Sequence, residues 1–210
     1  MNNVDDNRMD PWIAAGIFRH AITSSPASLD AFWKWYRPSK VTHPESGRPI
    51  LAFHGTADNF AIFDHAHGGK ATGASDSENV FWFSREPRRA NLAAMDAAVV
   101  KNDRNEAKYE EGANVMPVFL RVARPKIYKG WIPDPEKCAK QLSAARAAGY
   151  DAIIWKLGER IGMTGSSSGE IYAVFDSTQI KSAIGNPGTF DPSNPHITDG
   201  HEPLHGCSLQ

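Results

Sequence analysis

Three short segments carry residues whose types and spacing could do chemistry. In Phe53-His54-Gly55-Thr56 a histidine ends an apolar run, Ile50-Leu51-Ala52-Phe53, that reads as a buried strand. An imidazole there can donate or accept a hydrogen bond, and a following glycine lets a flat ligand approach the main chain. Alone, such a triplet is more often a turn. The second segment, Val80-Phe81-Trp82-Phe83-Ser84, is an aromatic strand feeding Arg85-Glu86-Pro87. Its rings either stack on a heterocycle or fill a core. The third opens with Glu170, ahead of Ile171-Tyr172-Ala173-Val174-Phe175. A carboxylate where a strand meets a cleft can steady a developing oxocarbenium ion, although by itself Glu170 also fits a solvated loop-end charge.

Other candidates are weaker. His65 and His67 flank a Gly-rich loop beside Asp64, and with His54 they are the nearest approach to a metal-hydrolase set. No HExxH or Cys/His spacing supports that reading, so no metal is expected and both histidines read as loop residues near a cleft mouth. His196, His201 and His205 are too scattered to form a site.

These segments need elements to hold them. Asp10-Pro11 reads as an N-cap and first helical position, with Trp12, Ile13, Ile17 and Phe18 at helical spacing to about Thr23. Ser28 or Asp30 could cap a second short helix carrying Phe32, Trp33, Trp35 and Tyr36, an aromatic cluster that packs on a flank or serves as a binding platform. Pro87 opens a helix through Ala97, and a charged stretch follows from Lys101 to Glu111. Val115 to Val122 alternates as a strand, with Pro117 suggesting an edge or a bulge. Pro135 to Ala148 is a helix stopped by Gly149, Asp151 to Trp155 is a strand, and Ile171 to Phe175 is the last clear strand. Gly68–Ser77 and Gly162–Gly169 read as flexible loops, and a loose wrap or disorder is expected from about Pro187. Short strands not each followed by a helix favour an α+β fold over a doubly wound sheet. No Gly-x-Gly-x-x-Gly or Walker loop is present, which argues against a Rossmann or P-loop nucleotide site.

Bulk properties narrow the class. The 210 residues suit one domain with trimmings, and 41% hydrophobic residues, including six Trp and ten Phe, are ample for one core. With 23 Lys+Arg against 24 Asp+Glu, no overall basic excess argues for wrapping nucleic acid. Cys138 and Cys207 make neither a disulfide framework nor a metal site, as in a reduced intracellular protein. No basic-then-apolar leader and no membrane-length apolar run is read, so a soluble, cytoplasmic protein is expected.

Taken together and in order, the segments resemble the ADP-ribosyltransferase superfamily, which includes the poly-ADP-ribose polymerases, and most closely the branch in polyvalent proteins of phages and mobile elements. The resemblance runs from about Phe32 to Ile197. Its pieces are Phe32–Ser39 (FWKWYRPS), Phe53-His54-Gly55-Thr56 with Phe60 and Phe63, the FWFSREP segment, Val115–Leu120, Gly149-Tyr150-Asp151 and the long run VFDSTQIKSAIGNPGTFDP. That last run is the most distinctive.

The resemblance implies a split β-sandwich of two small antiparallel sheets with flanking helices, binding NAD as substrate in the cleft between them. It divides the chain into an N-terminal helical flank (1–47), a catalytic domain (48–186) and a flexible tail (187–210). In such enzymes the histidine binds a ribose hydroxyl and the glycine backbone grips the nicotinamide carboxamide, which places His54 and Gly55. Trp82 stands where a Tyr is common. Thr56, Phe81, Phe83, Ser84 and Ile171 complete the implied NAD-binding set, and His54, Trp82 and Glu170 the catalytic one. The helix Tyr that often stacks on nicotinamide is replaced by Leu92 or Ala93, leaving Phe81, Phe83 or a loop aromatic to compensate. Counting back from Asp176 and Gln179, the residue in register with the usual catalytic Glu is Ile171. Glu170 is one step away, so it serves only if a bulge or turn re-aims it. Related enzymes with Ile there are mono-ADP-ribosyltransferases in which the acceptor's carboxylate assists. The implied activity is single ADP-ribose transfer to a macromolecular acceptor, most naturally a host protein with nucleic acid also open, by a toxin-like effector delivered by a phage or a secretion system into a bacterial cell. The alternatives are an NAD glycohydrolase and an inactive binding module of the same fold.

Overall fold

A computed structural model describes residues 26–67, 79–103, 112–158, 161–162, 165–166, 169–186 and 188–198. The helix expected over 10–23, the 68–77 loop, the charged stretch from 104 to 111, and His201, His205 and Cys207 lie outside the described residues.

Helix α1 (Pro26–Tyr36) starts two residues before Ser28, because Pro26 already has a backbone suited to a first helical turn. Strands β1 (Ala52–Thr56) and β2 (Phe81–Ser84) follow, then helix α2 (Pro87–Asp103). Next come β3 (Asn114–Leu120), β4 (Pro125–Lys129), helix α3 (Pro135–Ala147) and β5 (Ala152–Leu157). Asp134 caps α3 by accepting from the Lys137 N–H at 2.9 Å, and Gly149 takes the left-handed φ of +76° that ends it. A two-residue hairpin, β6 (Ile161–Gly162) and β7 (Gly165–Ser166), precedes β8 (Gly169–Val174) and β9 (Ile180–Ser182).

Seven strands form one sheet in the order β4-β5-β8-β2-β1-β3-β9. The two separate antiparallel sheets expected from the resemblance are not what forms. The ladder is continuous, and β4 runs parallel to β5 because α3 carries the chain back between them. The division survives as a weak joint: β1 and β2 share one residue pair, Phe53 with Ser84. Strands β4 and β9 were not visible in sequence. The first is a half-exposed edge carrying Lys126 and Lys129, and the second is only three residues long.

Pro117 lies in β3 between β1 and β9, not on an edge. Its missing N–H costs little, because that side of the residue faces past the end of β9, where its carbonyl accepts from the Ala183 N–H at 2.9 Å. Alternation sorts the core onto two faces. Ala52, Phe81, Phe83, Val118, Leu120, Ile154, Tyr172 and Val174 share one face with Val41, Ile50, Phe63 and Ile197 from irregular segments. On the other face Phe119 packs on α1 through Phe32, Trp35 and Tyr36, while Ile153, Trp155, Ile171 and Ala173 pack with Cys138, Leu142 and Ala145 of α3. The aromatic cluster of α1 is therefore core.

Residues 188–198, expected as a loose wrap, are packed. Phe190 is 1% and Ile197 4% exposed. Fully buried Lys181 donates through Nζ to the carbonyls of Asn194 and His196 at 2.8 and 2.9 Å.

Candidate active site

The weak joint can be located rung by rung. Pro117 turns its carbonyl away from β1 to Ala183, so its alternating neighbours on β3 face β1. By the same alternation Phe53 and Gly55 turn their N–H and C=O groups toward β2. Phe53 pairs with Ser84. The next rung in that register would join Gly55 to Trp82, and the ladder does not contain it. In its place the Nδ1 of His54 donates to the Trp82 carbonyl at 2.8 Å. A side chain has replaced a main-chain rung, and the strands part beyond it.

His54 lies in the middle of β1, not at a strand end as expected, because β3 pairs with all five residues from Ala52 to Thr56. Its ring is boxed by Phe63, Phe83 and Phe60 at centroid distances of 5.0, 5.5 and 6.1 Å. Burial pushes its pKa below 6.5, and the bond to the Trp82 carbonyl only partly opposes this. The ring is therefore neutral at pH 7. Since a carbonyl only accepts, Nδ1 carries the hydrogen and Nε2 is left as an acceptor.

A cavity of about 1220 Å³ opens at this joint. His54, Gly55 and Thr56 of β1, Phe81, Trp82, Phe83 and Ser84 of β2, and Ile171 of β8 all line it. The Trp82 ring stacks on Trp155 at 5.4 Å, and its buried Nε1 has no protein partner. Arg89 and Ala93 of α2, and His65 and His67 at the loop, also line the cavity. His65 stacks on Phe81 at 4.3 Å. Among the described residues no group of three or more His, Cys, Asp or Glu is arranged to hold a metal.

Glu170 is the exception. Pairing of β5 with β8 is unbroken from Ala152–Val174 to Leu157–Gly169, so no bulge re-aims it. Its side chain accepts from the Tyr172 hydroxyl at 2.8 Å and lies 3.5 Å from Lys156 Nζ and 3.9 Å from Arg85 Nη1. Burial, reinforced by that carboxylate, pushes the Tyr172 phenol above its usual range and keeps it a donor. Glu170 does not line the cavity, whereas Ile171, on the opposite face, does. Two lining carboxylates come instead from the loop after β1: Asp58, paired with Lys101 at 2.7 Å, and Asp64, which accepts from the Ala66 N–H at 2.9 Å.

Gly55 has a further reason to lack a side chain. A Cβ there would run into the Ala90 carbonyl oxygen and sit 2.8 Å from the Ala94 nitrogen. The absent side chain makes room for helix α2, and any ligand meets only the main-chain edge. Sequence reasoning missed Arg89, Ile132 and Ser177, and it dismissed His196, which lines the cavity with Pro195. The signal for His196 was the long run from Val174, which ends just before it.

Comparison with curated proteins and with solved structures returns no match. Residues 44–141, which hold β1, β2, α2 and the open joint, match the family described as ADP-Ribosyltransferase in polyvalent proteins, and this match supports assigning the chain to the ADP-ribosyltransferase superfamily.

Proposed function

We propose that this protein cleaves NAD at the nicotinamide–ribose bond and transfers a single ADP-ribose to a macromolecular acceptor. The observation that carries this reading is the open rung at Gly55 and Trp82, with neutral His54 standing in for it inside a large aromatic cavity. A carboxamide presents one carbonyl and one N–H face, the complement of the paired N–H and C=O that Gly55 turns into the gap. His54 Nε2 accepts from a ribose hydroxyl. Held at both points, the scissile bond needs little further ordering, so orientation supplies much of the rate.

The C1′–N bond breaks with its electron pair going to the nicotinamide nitrogen, which becomes neutral. The acceptor atom bonds to C1′ and gives up its proton. Glu170 is committed to Tyr172, Lys156 and Arg85, and Ile171 occupies the cavity wall, so β8 offers no carboxylate to the developing charge. An acceptor that brings its own carboxylate makes up that lack, and it favours one transfer over chain growth. The acceptor is a macromolecule, most naturally a host protein, met in a bacterial cytoplasm by a phage-borne or secreted effector.

The test is incubation of the protein and its His54→Ala variant with adenylate-labelled NAD and a bacterial lysate. Label on a macromolecule as one unit per site, lost in the variant, is the expected result. Nicotinamide release without label identifies a glycohydrolase. Binding of NAD with neither outcome identifies an inactive module, which the loss of a β8 carboxylate from the cavity would suit.

A further inference from the structure

A second cavity, of about 570 Å³, is lined by Ala57, Asp58, Asn59, Lys101, Gly112 and Asn114. Asp58 and Asn59 line the larger cavity as well, so the two adjoin there. Their walls differ in chemistry. Aromatic rings dominate the larger, whereas the smaller presents a carboxylate, an ammonium and two amides. Strand register fixes where they meet. Asn114 pairs with Thr56, the last residue of β1, and Ala57 lies two residues, about 7 Å, beyond Gly55. Asp58 stands at the junction. Its N–H donates to the Thr56 hydroxyl at 3.0 Å, which holds the turn, and its Oδ1 accepts from Lys101 Nζ at 2.7 Å. The carboxylate is 60% exposed, and so open an ion pair adds little stability. Among the described residues its other oxygen, Oδ2, has no partner. A carboxylate oxygen is thus held in place at the junction and left free to accept.

We propose that the smaller cavity seats the acceptor and that Asp58 takes the proton from its nucleophile, an O–H or N–H group. This rests on the NAD-cleaving reading above. The Phe53–Ser84 rung closes the gap on one side, so a dinucleotide whose carboxamide is held at Gly55 extends past Thr56, toward Asp58. The nucleophile's oxygen or nitrogen bonds to C1′ as the C1′–N bond breaks, and its proton passes to Asp58 Oδ2 and then to solvent. Charge developing on C1′ is a separate matter, met by the acceptor's own carboxylate.

The experiment compares two small acceptors, methanol, which must lose a proton, and azide, which has none to lose. Wild-type chain and Asp58→Asn are incubated with labelled NAD and each acceptor, with melting curves and NAD calorimetry as controls. The asparagine keeps the shape and can still accept from Lys101, but it takes no proton. The wild-type chain should form both methyl ADP-riboside and ADP-ribosyl azide. Asp58→Asn should slow the methanol product by about 100-fold or more, as loss of a general base does, with the azide product and NAD affinity within about threefold of wild type. An undiminished methanol product would overturn the inference while leaving the transferase reading intact. Equal loss with azide would also overturn it, since Asp58 would then serve the fold or C1′ and not the proton. A wild-type chain that fails with either small acceptor, yet labels a lysate macromolecule, overturns the inference alone. One that labels nothing overturns the transferase reading with it.

Discussion

Two joints in the same sheet are built in opposite ways. Between β5 and β8, six consecutive residue pairs close the ladder, and between β1 and β2 only one does. Each joint holds one of the two polar residues that drew notice in sequence. Glu170, in the closed joint, spends its carboxylate on Tyr172, Lys156 and Arg85. His54, in the open joint, spends one ring nitrogen on the Trp82 carbonyl and keeps the other. A residue type suited to catalysis is therefore not enough. What separates these two is whether the surrounding ladder leaves a hydrogen-bonding position free beside empty space.

Substitutions at the two joints should differ in kind and in size. The largest effect is expected at the open joint: His54→Ala should slow nicotinamide release by about 100- to 1,000-fold, the usual consequence of losing one preorganised polar contact. Gly55→Ala should come next, read as stability. Its Cβ meets helix backbone, which cannot swing aside, so a cost of about 1–3 kcal/mol and a melting drop of about 2–12 °C are expected. The matched control is Gly169→Ala in the closed joint, whose Cβ meets only the end of the Glu86 side chain at 2.6 Å. It should cost less than about 1 kcal/mol.

The third effect depends on pH. The folded-state pKa of His54 lies below the ordinary 6.5, so just below pH 6.5 the unfolded chain takes up a proton that the folded chain refuses. The stability this group contributes is present above pH 6.5 and is lost as pH falls toward the folded pKa, at no more than about 1.4 kcal/mol per pH unit. Urea midpoints at pH 7.5 and 5.5 should therefore differ more in the wild-type chain than in His54→Gln. The smallest effect is expected at Glu170→Gln: nicotinamide release within about threefold of wild type, at a stability cost of about 0.5–1.5 kcal/mol. A loss comparable with that of His54→Ala would erase the distinction between the joints.

Much of the scaffold was legible because its signals are local. Alternation marked β3, a short apolar run marked β5, and Pro87 and Pro135 marked the starts of α2 and α3. The residues at the open joint were named from their types and from the family likeness. The joint itself was not readable, since a missing rung depends on how two distant strands pair. Strand β4 hid because its lysines and half-exposed residues suit a loop as well as an edge. The 188–198 strap read as loose because Pro, Gly and Asn suggest disorder, while its order comes from the buried Lys181 and Phe190, contacts far apart in the chain. Whether Glu170 could be re-aimed turned on a bulge, and only the unbroken register of β8 answers that.

The proposed function requires the gap between Gly55 and Trp82 to receive the nicotinamide carboxamide. Residue-resolved amide hydrogen exchange, with and without saturating NAD, measures this at the gap. Protection of the Gly55 amide on adding NAD, with the Glu170 amide unchanged, is the result expected. NAD-dependent protection that leaves residues 52–56 unaffected would contradict it.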